Sequence, residues 1–130
     1  MRKKADPAQA RAAVDAIADW IADPENTAEP PRTAVATAVR QTARLLEGDA
    51  PGHSVEVRVP PFVAVQCIDG PEHTRGTPPN VVELKPLTWL RAATGHCDFA
   101  QAADAEGSWV SGQRAREVAR FLPVIPLAPR

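Results

Sequence analysis

The stretch Ser54–Glu83 limits what this chain can fold into more than any other. Val55, Val57 and Val59 alternate with Glu56 and Arg58, the period-two pattern of a strand with one wet face. Phe62–Ile68 is apolar on both faces apart from Gln66, which reads as a central strand buried on two sides. Pro60-Pro61 between them cannot form a two-residue hairpin turn, because both φ angles are held negative. Either the turn is wider or one X-Pro bond is cis. Asp69–Pro79 is a long turn region, and Asn80–Leu84 forms a third strand.

A thin sheet needs cover, and the flanking segments supply it as helices. Asp6-Pro7 is a helix start, with an acceptor at the cap and proline at the first position. Ala10, Ala13, Val14, Ile17, Trp20 and Ile21 then recur at three- and four-residue spacing, until Asp23-Pro24 ends the run. Pro30-Pro31 stiffens the end of the loop that follows. Thr33 is the expected cap of a second helix with the stripe Val35, Ala38, Val39, Thr42, Leu45 and Leu46, stopped by Gly48. After the strands, Pro86 opens a third helix ended by Gly95, and Asp98 caps a short fourth. Trp109–Ser111 is a short strand broken by Gly112, and Arg114–Leu122 a last helix with Val118, Phe121 and Leu122 inward. The expectation is one α+β domain spanning residues 1–130. It has two N-terminal helices over 7–47, a three-strand segment over 54–84, helices and a short strand over 86–122, and an extended tail over 123–130.

A chain of 130 residues buries roughly two-thirds of its unfolded surface. Its net charge of −1 lacks the basic excess of a nucleic-acid binder. No apolar run approaches the ~18 residues of a membrane span. The basic start, Met1-Arg2-Lys3-Lys4, leads into an amphipathic helix rather than a signal-peptide core, so a cytoplasmic setting is expected. Cys67, inside an apolar strand, reads as a small hydrophobic thiol. Its separation of 30 residues from Cys97 fits no zinc-ligand spacing, and neither a metal nor a cofactor is expected. Gly70 and Gly76 are turn glycines, with no phosphate-loop or dinucleotide fingerprint around them.

Several runs together resemble the second half of the sterol carrier protein type-2 superfamily. They are Pro79–Glu83, Thr88-Trp89-Leu90-Arg91-Ala92-Ala93-Thr94-Gly95, Phe99–Ala102 and Val110-Ser111-Gly112. The whole chain, through Val59–Gln66 and His73–Pro79, looks like the short actinobacterial branch of that superfamily. The resemblance implies a small, mainly antiparallel sheet covered by helices. It also implies an apolar tunnel that accepts a sterol, fatty acid or acyl-CoA without catalysis. Its walls would come from Val63, Val65, Cys67, Trp89, Leu90, Phe99, Trp109 and Phe121, with Arg58, His73 and Arg75 as head-group candidates. Two departures stand out. Lys85 replaces the Asp that often precedes the helix-opening proline, and an absent cap weakens a helix start by roughly 1 kcal/mol. His96-Cys97 stands where an Arg-Leu-type pair is expected, which would make the tunnel more polar.

Each candidate also has a plainer role. Trp20, Trp89 and Trp109 suit ligand stacking, but a domain with no tyrosine needs bulky core residues. Arg58 can equally pair with Glu56 or Glu83 across the sheet. His96 beside Cys97 does not make an activated thiolate, because adjacent side chains on an extended segment point opposite ways. Related folds occur in thiol-dependent isomerases fused to a helical, histidine-ligated metal domain, yet residues 1–52 hold no histidine. The alternative to a carrier is an interaction module that keeps the fold without the cavity.

Overall fold

The computed structural model describes residues 5–70 and 80–128. The first expected helix is two: α1, Pro7–Asp15, and α2, Ala18–Ala22. Asp6 caps α1 by accepting the Ala8 N–H at 2.9 Å. The break falls at Ile17, whose φ of −125° is not helical. The bend lets Ile17, Ala18, Trp20 and Ile21 all turn inward, so a stripe that looks continuous in sequence is divided by packing.

Helix α3, Arg32–Asp49, is longer than expected at both ends. Pro31 precedes it, so Thr33 lies inside the first turn rather than at the cap. Gly48 does not stop it. The helix runs past that glycine to Ala50, which is buried and accepts the Ile68 N–H at 2.7 Å. Docking on the sheet, rather than glycine, sets this end.

The sheet is mixed, in the order β2-β1-β3-β4, formed by Val55–Val59 (β1), Val63–Cys67 (β2), Val81–Glu83 (β3) and Trp109–Ser111 (β4). The β1–β2 and β3–β4 pairs are antiparallel, whereas β1 and β3 run parallel. The expected central position of Phe62–Ile68 is therefore corrected. β2 is an edge strand with Ala64 and Gln66 exposed, and β1 takes the centre. Ala64, short enough to stand in water at little cost, gave the run its two-sided apolar look. Both options for the β1–β2 turn are realised. Val59 pairs with Val63 across a three-residue turn, and the Pro60-Pro61 peptide is cis.

Val55, Val57, Val59, Val65, Cys67 and Val82 share one core with the buried residues of α3 and of α4, Pro86–Thr94. Lys85 offers α4 no side-chain cap, and Gly95 closes it in the left-handed region at φ +86°. Helix α5, Phe99–Asp104, has a reciprocal capping box between Asp98 and Gln101, each bond 2.8 Å. The last expected α-helix is instead a 3-10 helix, Ala115–Phe121. Its inward residues, Ala115, Val118 and Phe121, fall every third position, which matches three residues per turn rather than 3.6. Asn80 joins the strands to this helix, donating to the Ser54 carbonyl at 2.9 Å and accepting the Arg114 N–H at 2.9 Å.

At the centre of the core, Trp89 is fully buried, and its indole N–H donates to the Thr42 hydroxyl at 2.8 Å. Thr42 in turn donates to the Ala38 carbonyl at 2.7 Å. Replacing Thr42 by Val keeps the shape but leaves the buried indole N–H unpaired. Thr42→Val is expected to lower stability in urea titration by about 1–3 kcal/mol, and Thr42→Ser by clearly less.

Candidate functional site

The residues expected to wall a tunnel divide between the interior and the surface. Val65, Cys67, Trp89 and Leu90 are buried within the core cluster. Val63 and Phe121 are half-buried against it. Phe99 is buried in the same cluster and also borders a surface hollow, whereas Trp109, on edge strand β4, is 51% exposed. Arg58 is engaged by Glu56 on its own strand, with Glu83 across the sheet at 3.9 Å. His73 and Arg75 lie outside the described residues.

Space of ligand size opens at the surface. One cleft, of about 410 Å³, lies between the end of α2, the start of α3, the β1–β2 turn and the start of α4. Its apolar walls are Trp20, Val35, Phe62 and Leu87, joined by Pro30, Pro60, Pro61 and Pro86. Sequence and surface chemistry are linked here. Each proline stops or turns the chain where an apolar side chain must face the cleft, and each removes a backbone N–H from its wall. An apolar ligand would desolvate fewer donors here than beside an ordinary loop. The charged groups at the rim are Glu29, Arg32 and Lys85.

A shallower hollow of about 340 Å³ adjoins it, sharing Arg32, Pro61 and Phe62 and adding Thr33, Thr37 and Arg40. The Arg32 and Arg40 guanidinium carbons stand 5.0 and 5.9 Å from the Phe62 ring centre. Arg40 also donates from Nε to the Phe62 carbonyl at 3.3 Å. A third hollow, of about 400 Å³, is bordered by His96, Cys97, Asp98, Phe99, Leu122 and Pro123 among others. Its lining is as polar as it is apolar, which suits an extended hydrocarbon less well than the proline-walled cleft.

Neither thiol is activated. Burial, with a smaller push from Glu47, raises Cys67 to about 12. Cys97 is also raised, mainly by burial and partly by Asp98, while Arg91 pulls the other way. Arg91 has a structural duty, donating to the Ile21 carbonyl and, at 3.4 Å, to those of Ala22 and His96. It thereby holds the end of α2, and with it Trp20, against α4. Among the described residues no group of three His, Cys, Asp or Glu side chains is placed to hold a metal ion. No described helix is long and apolar enough to cross a membrane.

A family model described as a bacterial SCP ortholog, a sterol-carrier-protein-like family, matches residues 31–124. The chain belongs to that family. No curated protein matches it. The SCP match takes in the Val35, Phe62 and Leu87 walls of the cleft, whereas Trp20 and Pro30 precede it. The wall from α2 thus lies outside the matched region, and although Trp20 and Val35 belong to helical stripes, the stripes do not show that they meet Phe62 and Leu87. The available signal is the placement of prolines directly before Phe62 and before Leu87.

The thiol chemistry can be tested by timed alkylation with mass-spectrometric readout. Cys97, partly exposed, should react slowly near neutrality and faster as pH rises, because only the thiolate attacks. Cys67 should stay unmodified in the folded protein through pH 9 and react only on unfolding. Because the folded chain holds the Cys67 proton to about 12 against an ordinary value of 9.0, its contribution to stability is full below pH 9.0 and declines as pH rises through that window.

Proposed function

We propose that this SCP-family chain is a non-catalytic carrier of a hydrophobic small molecule, seated between Trp20, Val35, Phe62 and Leu87. The observation that carries this reading is the proline-walled cleft of about 410 Å³, a volume within the range of small-ligand sites. Affinity would arise from apolar surface removed from water, at roughly 25 cal/mol per Å². The protonated state of both thiols supports a binding role over a thiol-dependent reaction. Two free cysteines suit a reducing compartment, so we place the carrier in the cytoplasm.

An interaction module of the same fold is the second reading, favoured by Trp109, which exposes half of its large side chain on an edge strand. The two separate in one measurement. A carrier displaces a fluorescent fatty-acid probe into its cleft or arrives with bound lipid in native mass spectrometry. Leu87→Gln should weaken probe uptake about tenfold, the loss of roughly 1–2 kcal/mol of apolar burial, with an unchanged circular dichroism spectrum. Purified protein that carries no lipid and takes up no probe would end the carrier reading and leave the interaction module.

A further inference from the structure

The hollow beside the cleft has a charge character of its own. Arg32 and Arg40 border it together, and both lie over the Phe62 ring, at 5.0 and 5.9 Å from its centre. A guanidinium that rests its flat face on a ring keeps N–H donors at its edge. Among the described residues neither arginine stands within ion-pairing distance of a carboxylate, unlike Arg58, Arg114 and Arg120. Arg40 spends only its Nε donor, on the Phe62 carbonyl. Two cations of one sign border one hollow with no carboxylate paired to them, and the ring beneath them is shared with an apolar cleft. Lys85, on the far rim, is 4.0 Å from Glu106, and Glu29 is exposed at the cleft's edge. Neither borders the hollow between the two arginines.

The geometry points to Arg32 and Arg40 as the head-group site for an anionic amphiphile, a carboxylate or phosphate oxyanion whose hydrocarbon part lies in the Trp20–Leu87 cleft. This inference rests on the carrier reading of that cleft. Arginine suits the role because its planar fork offers two parallel donors to an oxyanion. Phe62 would serve both halves of the ligand, since it lines the cleft and the hollow alike. The pair therefore determines specificity: it selects an anionic chain over a neutral molecule of equal length.

The test is calorimetric binding of laurate, dodecyl phosphate and dodecanol, with acetate and inorganic phosphate as heads lacking a chain. Wild-type protein should hold at least one of the two anionic chains roughly fivefold or more above dodecanol, as two solvent-exposed ion pairs allow, and raised salt should reduce that preference. Arg32→Gln/Arg40→Gln should abolish the preference, so that the anionic chains bind no more tightly than dodecanol in the same variant. Arg32→Lys/Arg40→Lys should keep part of it. If dodecanol binds as well as both anions, or the preference survives in the glutamine variant, the head-group assignment fails while the carrier reading stands. If inorganic phosphate or acetate binds as tightly as its chain-bearing counterpart, the hollow is an anion site independent of the cleft and the assignment fails. If no chain binds at all, the carrier reading fails and takes this one with it.

Discussion

The contact on which the rest of this molecule depends is the buried hydrogen bond between Trp89 and Thr42. Trp89 is the largest fully buried side chain, and it brings a polar edge into the centre of an apolar core. An indole N–H left unpaired there would oppose folding, so α4 must meet α3 in the one register that offers it a hydroxyl. Thr42 supplies that acceptor while its own proton goes to the Ala38 carbonyl, which leaves every polar atom of the group satisfied. Two residues along α4, Arg91 reaches the end of α2. One helix thus fixes the core with one side chain and recruits the N-terminal segment with another.

That arrangement draws several of the residues expected to wall a tunnel into the core. The inward valines of β1, the Val65 and Cys67 side chains of β2 and the helical residues above them form one close cluster. Ligand-sized space appears instead where helices begin and strands turn, because prolines at those junctions prevent neighbouring segments from closing on one another. Trp20 reaches this cleft only because α1 and α2 are separated by a bend at Ile17. At another corner of the sheet, Arg114 makes a two-pronged contact with Glu117 and donates to the Asp69 carbonyl at 2.8 Å, while Asn80 ties Ser54 to the same helix. This raises the Arg114 pKa and lowers that of Glu117. Both groups remain charged across the neutral range and keep the strand ends joined.

How legible each part was depends on the range of the interactions that set it. The Asp6 and Asp98 caps, the proline at the start of α4 and the Gly95 stop were all readable, since each is a bond or a φ preference within a few residues. The Gly48 stop and the Thr33 cap were not, because docking of Ala50 on Ile68 and the Pro31 start overrode them. The 3-10 helix was readable in principle, since Ala115, Val118 and Phe121 stand three apart. The candidate site was less legible. The resemblance pointed to Trp89, Leu90 and Cys67 as tunnel walls, and all three are buried in the core cluster. Phe62 and Leu87, read as the ends of an apolar strand and an apolar helix face, acquire their cleft neighbours only when four separate junctions converge.

By itself, then, the chain of residues determined the α+β class and most element positions, because period, capping and proline geometry act over a few neighbouring residues, while the family came from the resemblance of particular runs. Tertiary structure alone decided that β1 rather than β2 is central, since strand order depends on which partners are present on each side. It also decided that a ligand-sized cleft opens among prolines at the surface and that Arg32 and Arg40, eight positions apart, border one hollow. Those outcomes depend on distances between segments remote in sequence, and such distances exist only once Trp89 and its neighbours have packed.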